Sequence, residues 1–246
     1  MPRLLIAASG TGGHIYPALT LADSLANSWK VLWMGVPNRL ETELVPKKYD
    51  LITLPVGGLQ GNIFKKLIKL FQLFLSSIQV CELLREKEID VVFTTGGYIS
   101  APSIIAAKLT GIPIVLHESN AIPGRVTRFL GRFCDHVALG IPSAASYLLN
   151  CKTSFTGTPV RAQFFFKQSL PNWVPDGDGP LIVVMGGSQG AQRLNQMVRN
   201  VFPWLLDNGC RIVHLTGKNH IFYKNKIELE KNNNLVVKSF SNEIPG

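Results

Sequence analysis

The sequence predicts a doubly wound α/β fold built on parallel sheets. Short apolar runs alternate with segments of helical periodicity along most of the chain. The runs are continuously apolar, as is typical of strands that are covered on both faces. Several runs are followed directly by glycines, which mark the turn from a strand into a helix. Strands that alternate with helices in this way form parallel sheets with helices on both sides.

The first part of the chain contains enough elements for one complete domain. Strands are predicted at 4–8, 31–34, 51–54, 90–94, 112–116, 136–139 and 154–156. Helices are predicted at 15–26, 63–84, 101–109 and 125–133.

A break in the pattern separates a second domain. Residues 157–180 hold four prolines and lack clear periodicity, which is typical of a linker. The pattern then restarts with strands at 181–185, 211–216 and 235–238 and with helices at 191–206 and about 223–230. Three strands are too few for a sheet covered on both faces. We therefore predict one domain over 1–160 and the first part of another over 161–246.

Composition excludes several classes of protein. The formal net charge of +9 is spread over both parts, so nucleotides, acidic lipid surfaces and nucleic acid all remain possible partners. The four cysteines form no CxxC pair, which argues against a zinc site or a disulfide framework. The first apolar run is too short for a signal peptide, and no segment offers the roughly 20 apolar residues that a membrane span needs.

The stretch SGTGGH at 9–14 follows the first strand directly. Glycines at such a turn let backbone N–H groups approach a ligand, and the helix dipole adds positive charge, so the loop predicts an anion site. A tight turn without a ligand is the alternative. A Walker loop is excluded because no Gly-Lys-Ser/Thr follows, and a dinucleotide loop because Ile15 stands at its third glycine.

His14 lies in the first turn of the predicted helix. The helix dipole disfavours a protonated imidazole there and leaves the neutral ring that a general base requires. A histidine that only binds a neighbouring loop is the alternative.

Two further loops follow strands in the same sheet. One contains Gly96, Gly97 and Tyr98, and the other contains His117, Glu118 and Asn120. Ligands bind outside the carboxyl ends of parallel strands, so we expect these loops and the SGTGGH loop to converge. His117 and Glu118 could form an acid/base pair, but bracing of the loop is the favoured interpretation.

The predicted helix at 63–84 is amphipathic. Lys65, Lys66 and Lys69 share one side, and a broad arc of apolar residues that includes Phe71 and Phe74 fills the other. A basic amphipathic helix with aromatic residues is typical of contact with a membrane surface. The alternative is a helix buried against the sheet.

Six motifs, in order along the whole chain, resemble those of the MurG family of glycosyltransferases. They are GTGGHIYPAL (10–19), NRLETELVP (38–46), GGY (96–98), GIPIVLHESN (111–120), GTPVR (157–161) and GGSQGAQRLN (186–195). The resemblance implies the GT-B fold, which has two Rossmann-like domains, the second of them incomplete here. It also implies metal-independent, inverting transfer of N-acetylglucosamine from UDP-N-acetylglucosamine to the 4-hydroxyl of an undecaprenyl-diphosphate-linked muramyl pentapeptide. No cofactor and no nucleic acid would take part, and the protein would lie at the cytoplasmic face of the bacterial inner membrane, on an anionic surface.

The resemblance also implies roles for individual residues. His14 would be the base, and Gly96, Gly97 and Tyr98 would lie at the acceptor diphosphate. The UDP-sugar would be bound by Thr11, Gly12, Gly13, Asn120, Arg161, Ser188 and Ser241.

Two departures from the family pattern accompany these assignments. Thr158 replaces the usual asparagine of GTPVR, and Ser241 replaces an apolar residue. The later family motifs are absent, so we expect a partial member with little transfer activity alone. The alternatives are a non-catalytic fragment that binds nucleotide or lipid diphosphate, and another GT-B-like enzyme such as a sugar-nucleotide epimerase.

Overall fold

The computed structural model describes residues 1–45, 47–57, 63–166, 169–187, 190–217 and 232–241, and it gives no side-chain detail for 63–67. The chain divides into two compact units, Met1–Arg161 and Ala162–Gly246. Each unit is built on its own parallel sheet.

The sheet of the first unit has seven parallel strands in the order β3-β2-β1-β4-β5-β6-β7. The strands are β1 (Arg3–Ala7), β2 (Lys30–Gly35), β3 (Asp50–Thr53), β4 (Val91–Thr94), β5 (Ile114–Glu118), β6 (His136–Leu139) and β7 (Thr153–Phe155). The order runs one way from β1 to β3 and the other way from β4 to β7. The topological switch point therefore lies between β1 and β4, which pair directly, with Leu5 opposite Val92.

Both faces of this sheet are buried, as the continuous apolar runs predict. Leu5 and Ala7 point into one core cluster with residues of α3 and α4, while Leu4 and Ile6 point into a second cluster with residues of α1. Successive side chains of a strand alternate between faces, so a strand with a core on each side must be apolar throughout.

The helices of this unit are α1 (Gly12–Leu25), α2 (Glu41–Leu44), α3 (Ile63–Glu86), α4 (Ser100–Thr110) and α5 (Arg125–Leu130). The helix α3 buries only part of its surface. Val80 and Leu84 are buried near its end, whereas Phe71 and Phe74 are 62% and 61% exposed. A helix wholly buried against the sheet is therefore the wrong interpretation of this segment. Among the described residues, no helix is both long and apolar enough to cross a bilayer.

The second unit has a three-stranded parallel sheet among its described residues, in the order β10-β9-β8. Its elements are β8 (Leu181–Met185), α6 (Gln192–Arg199), α7 (Phe202–Asp207), β9 (Arg211–Leu215) and β10 (Leu235–Lys238). Phe202 and Leu206 of α7 pack on Ile212 and Leu235 of the sheet.

Every predicted strand is confirmed, with bounds within two residues of those observed. The single helix predicted at 191–206 is wrong, because the chain forms α6 and α7 with a break between them. Pro203 explains the break: a continuous helix would need its N–H to bond Arg199, and proline has none. The four-residue α2 was not predicted, and the helix predicted at 223–230 lies outside the described residues.

Candidate active site

The loops that follow β1 and β4 meet at the switch point of the first unit. A side chain on Gly96 would come within 3.7 Å of the His14 ring, and one on Gly97 would come within 3.9 Å of the Ser9 carbonyl oxygen. The two loops are neighbours because β1 and β4 are paired strands. The expected convergence of these loops is confirmed.

The imidazole of His14 is oriented by the β4 loop. Its Nδ1 lies 2.6 Å from the backbone carbonyl oxygen of Thr95. A carbonyl oxygen only accepts hydrogen bonds, so Nδ1 carries the proton. In the neutral ring Nε2 is then the unprotonated nitrogen, and it is the atom that can take a proton from a substrate hydroxyl.

The start of α1 places backbone and hydroxyl donors beside this ring. Thr11 is the residue that precedes the helix, and its exposed hydroxyl does not cap it. The N–H groups of Gly12 and Gly13 precede the first helical hydrogen bonds, and no acceptor among the described residues pairs with them. Such groups at a helix N-terminus bind anions.

Gly96 lies between two side chains that belong to different loops. A side chain there would come within 3.7 Å of both His14 Cε1 and Thr127 Oγ1, and the residue has φ of +87°. That backbone conformation strongly favours glycine. Gly96 therefore places the β1 and β4 loops beside the segment that follows β5.

Glu118 braces the segment after β5. Its carboxylate is 3% exposed and accepts four hydrogen bonds. One oxygen accepts from the backbone and side-chain nitrogens of Asn120, at 3.0 and 2.7 Å. The other accepts from the Gly124 N–H at 3.1 Å and the Thr127 hydroxyl at 2.7 Å. With both oxygens engaged, the geometry favours bracing over an acid/base role.

This bracing also fixes the orientation of the Asn120 side chain. A carboxylate only accepts, so the amide nitrogen faces Glu118 and the amide oxygen points away. Asn120 is exposed, and its Oδ1 has no partner among the described residues. It can therefore accept a hydrogen bond from a ligand hydroxyl.

His117 connects the β5 loop to the GTPVR segment. Its Nε2 donates to the carbonyl oxygen of Gly157 at 3.0 Å, and its Nδ1 lies 3.3 Å from the Ser119 hydroxyl. Both ring nitrogens are thus used within the protein. In the same segment, the Arg161 guanidinium lies 4.4 Å from the centre of the Tyr16 ring on α1. A cation at this distance from an aromatic face is attracted to it, so Arg161 is held beside the first turns of α1.

Glu41 is a site residue to which the sequence analysis assigned no role. It is fully buried, and its carboxylate accepts from the Val36 N–H at 2.6 Å and the Gly10 N–H at 3.3 Å. Gly35 makes room for it, since a side chain there would come within 2.6 Å of Glu41 Cγ. The signal in the sequence was the acid beside Leu40 in NRLETELVP, six residues after the glycine that ends β2.

In the second unit, a buried network joins α6 to the end of β9. The Asn195 amide donates to the Thr216 carbonyl oxygen at 2.8 Å, and its oxygen lies 3.0 Å from His214 Nε2. Ser188 lies outside the described residues. Ser241 is buried, three residues after the end of β10.

Among the described residues, no group of three or more His, Cys, Asp or Glu side chains could hold a metal ion. Tyr98 is exposed at the end of the β4 loop. The structure thus brings together Thr11, Gly12, Gly13, His14, Gly96 and Gly97, with Asn120 and Arg161 fixed by neighbouring loops.

Comparison with known proteins identifies the family. Residues 4–139 match the glycosyltransferase family 28 N-terminal domain, and residues 181–246 match the family 28 C-terminal domain. A protein of Prochlorococcus marinus (strain NATL1A) is 69% identical over 245 residues, which are 100% of this chain and 70% of that protein. A protein of Synechococcus sp. (strain CC9311) is 58% identical over 100% of this chain and 67% of its own length. Both are named UDP-N-acetylglucosamine--N-acetylmuramyl-(pentapeptide) pyrophosphoryl-undecaprenol N-acetylglucosamine transferase.

Solved structures show the fold. Acinetobacter baumannii MurG superimposes with a TM-score of 0.69 at 23% identity, over 100% of this chain and 70% of its own. The UDP-GlcNAc 2-epimerase of Methanocaldococcus jannaschii gives 0.59 at 15% identity, over 97% of this chain and 73% of its own. Identities this low establish the GT-B architecture alone, so the transferase and epimerase interpretations are separated by the far closer sequence relatives. The chain belongs to glycosyltransferase family 28 and, within it, to the MurG family.

Proposed function

We propose that the chain, joined to the part of its relatives that it does not span, carries the N-acetylglucosamine transferase activity for which those relatives are named. It would move the sugar from UDP-N-acetylglucosamine to the 4-hydroxyl of a lipid-diphosphate-linked muramyl pentapeptide. The observation that carries the proposal is the 69% identity to the Prochlorococcus transferase along the whole of this chain.

We assign the role of general base to His14. The Thr95 carbonyl oxygen fixes the tautomer in which Nε2 is the acceptor, so the ring is prepared to take the proton of the attacking hydroxyl. The sugar would be attacked directly, with inversion, as UDP departs. The unpaired N–H groups of Gly12 and Gly13 and the dipole of α1 would stabilise the diphosphate charge.

The remaining site residues are assigned by the same reasoning. The outward-facing Asn120 oxygen and the Thr11 hydroxyl would bind sugar hydroxyls, and Arg161 would bind a phosphate of UDP. Ser188 and Ser241 of the second unit would bind UDP, as the family resemblance implies. Gly96, Gly97 and Tyr98 would bind the acceptor diphosphate, where the absence of side chains on the glycines lets phosphate approach the backbone.

We further propose that the exposed face of α3 rests on an anionic membrane surface at the cytoplasmic side of the bacterial inner membrane. Its exposed apolar residues are Ile68, Leu70, Phe71, Phe74, Leu75 and Ile78. An apolar patch of this kind on a strongly basic protein favours an interfacial position, where aromatic side chains enter the headgroup region and cations meet anionic lipid. Lys69 lies on this helix, while the side chains of Lys65 and Lys66 lie outside the described ones.

A transfer assay tests the proposal. We would join the 246-residue chain to the C-terminal remainder of the Prochlorococcus relative, which this chain spans to 70%. This protein, the extended chain, would be incubated with UDP-N-acetylglucosamine labelled in the sugar and a short-chain lipid-linked acceptor. Labelled lipid product is the expected result.

The variant His14→Ala should lower kcat by about 10²–10⁴-fold while UDP affinity stays near that of the parent. His136→Ala is the matched control, because His136 bonds only Ser154 on the neighbouring strand among the described residues and lies at the far part of the sheet. An extended chain that folds and binds UDP but transfers no sugar would contradict the proposed function. An unchanged kcat in His14→Ala would refute the role of His14 as general base and would leave the proposed transferase function standing.

A further inference from the structure

A cavity of about 630 Å³ lies in the first unit, beside the glycine loop of β4. Leu73 and Ser76 of α3, Ala101 of α4, and Val126 and Phe129 of α5 line it. Its volume falls in the range of small-molecule sites, and its walls are mostly apolar. Tyr98, assigned above to the acceptor diphosphate, also lines the cavity, but no role assigned above uses its apolar interior.

The charged residues on its wall are both cations. Lys69 and Arg125 line the cavity, and no described lining residue is acidic. Arg125 has no hydrogen bond or ion pair with any described residue. Tyr98, which also lines the cavity, directly follows Gly96 and Gly97. The cavity thus combines an apolar interior with positive charge, next to the loop assigned to the acceptor diphosphate.

We propose that this cavity binds the first isoprenoid units of a polyprenyl diphosphate, with the diphosphate against Arg125 and Lys69. The inference rests on the proposed function for the identity of the acceptor, and it assigns a place to the part of that acceptor next to the phosphates. A free nucleotide would leave the apolar wall unused, and an uncharged apolar molecule would leave Arg125 without a partner among the described residues. A prenyl diphosphate satisfies both.

The size of the cavity limits how much of the chain it can hold. A cavity of about 150 Å³ holds one benzene molecule, so this one holds roughly four groups of that size. A few five-carbon units therefore fit, and the rest of a longer polyprenyl chain must extend out of the cavity. The helix α3 offers a path, because it lines the cavity with Leu73 and carries the exposed Phe71 and Phe74 on its surface.

Binding of soluble prenyl diphosphates to the 246-residue chain tests the inference. Isopentenyl, geranyl and farnesyl diphosphate would be titrated by calorimetry below the concentrations at which they self-associate. Affinity should rise by at least about tenfold from isopentenyl to farnesyl diphosphate, since each added unit buries apolar carbon. Farnesol, which lacks the diphosphate, should bind at least about tenfold more weakly than farnesyl diphosphate.

Variants locate the site. Ala101→Leu fills part of the cavity and should abolish the rise in affinity with chain length. If circular dichroism shows that this variant is destabilised, Gln72→Trp, at an exposed lining position, serves the same purpose. Arg125→Gln should weaken all three diphosphates by about tenfold. Arg132→Gln removes the same charge from an exposed position outside the cavity and should leave binding unchanged.

Three results would overturn the inference: no dependence on chain length, a dependence that Ala101→Leu and Gln72→Trp leave intact, or equal binding of a long-chain acyl phosphate. A dependence lost in Phe74→Ser but not in Ala101→Leu would place the lipid on the surface of α3 instead. The proposed function fails separately, because sugar transfer by the extended chain is measured without prenyl diphosphates. Sugar transfer without binding in the cavity would overturn only the proposed role of the cavity. Binding in the cavity without sugar transfer would overturn only the proposed transferase function.

Discussion

Replacing Glu118 with glutamine distinguishes bracing from catalysis. The carboxylate accepts four hydrogen bonds, and a glutamine oxygen can keep only the two on one side. Its NH₂ group would then face two donors. Hydrogen bonds to a charged group contribute about 1.5–3 kcal/mol each, but Asn120 and Gly124 are exposed enough for water to replace part of the loss. We expect the free energy of unfolding to fall by about 2–3 kcal/mol.

Calorimetric melting measures this loss. For a chain of this size, about 2–3 kcal/mol corresponds to a Tm lower by roughly 5–10 °C. The orientation of Asn120 should also be lost, which would raise the KM for UDP-N-acetylglucosamine in the extended chain by about five- to tenfold, with a smaller effect on kcat. Glu43→Gln, on the exposed side of α2, is the control and should shift neither quantity. An unchanged Tm with kcat reduced by about 10²-fold or more would refute bracing and restore the acid/base pair.

Two further predictions concern the thiols and the membrane face. Burial, with smaller contributions from Cys151 and Asp135, raises the pKa of the Cys134 thiol to about 12. Iodoacetamide at pH 8 should therefore modify this thiol only after unfolding, as peptide mass spectrometry would show. The thiol of the unfolded chain ionises above pH 9, while the native thiol stays protonated up to about pH 12. The free energy of unfolding should therefore fall between pH 9 and 12, by at most about 1.4 kcal/mol per pH unit. It should fall less steeply in Cys134→Ala, and equal slopes in the two proteins would contradict this prediction. The double variant Phe71→Ser and Phe74→Ser should weaken binding to anionic vesicles, measured by sedimentation, at least about tenfold without lowering Tm. The control Leu109→Ser, at an exposed position on α4, should leave vesicle binding unchanged. A lower Tm in the double variant would show instead that the two phenylalanines belong to the core.

The strands could be predicted from the sequence because the physics that forms them is local. A strand covered on both faces must be apolar at every position. Runs such as the one that contains Leu4 and Leu5 can therefore be recognised as strands from the sequence alone. The helix α2 could not be found this way, since four residues are too few to show a 3.6-residue period. The break at Pro203 was missed although its cause is local, because the apolar residues on either side keep helical spacing.

The site was predictable to a lesser degree, because the roles of its residues depend on contacts between loops. The sequence predicts that the loops with His14 and Gly96 meet, since parallel strands end at one edge of the sheet. It does not say that the Thr95 carbonyl oxygen fixes the tautomer of His14, or that both oxygens of Glu118 are used. Those facts follow from backbone groups, whose positions no side-chain pattern encodes.

The two buried carboxylates are compatible with the proposed anion site, although both are acidic. Glu41 accepts the N–H groups of Gly10 and Val36, and Glu118 accepts that of Gly124, so each carboxylate uses amides that point into the protein. The loops become rigid without using the N–H groups of Gly12 and Gly13. Rigid donors lose little entropy when a ligand binds, and donors fixed in advance need no reorganisation as charge develops on the departing diphosphate. The acids therefore act through the backbone groups that they hold. Their negative charge is stabilised and partly screened by donors on the inner side, which reduces its repulsion of a bound anion.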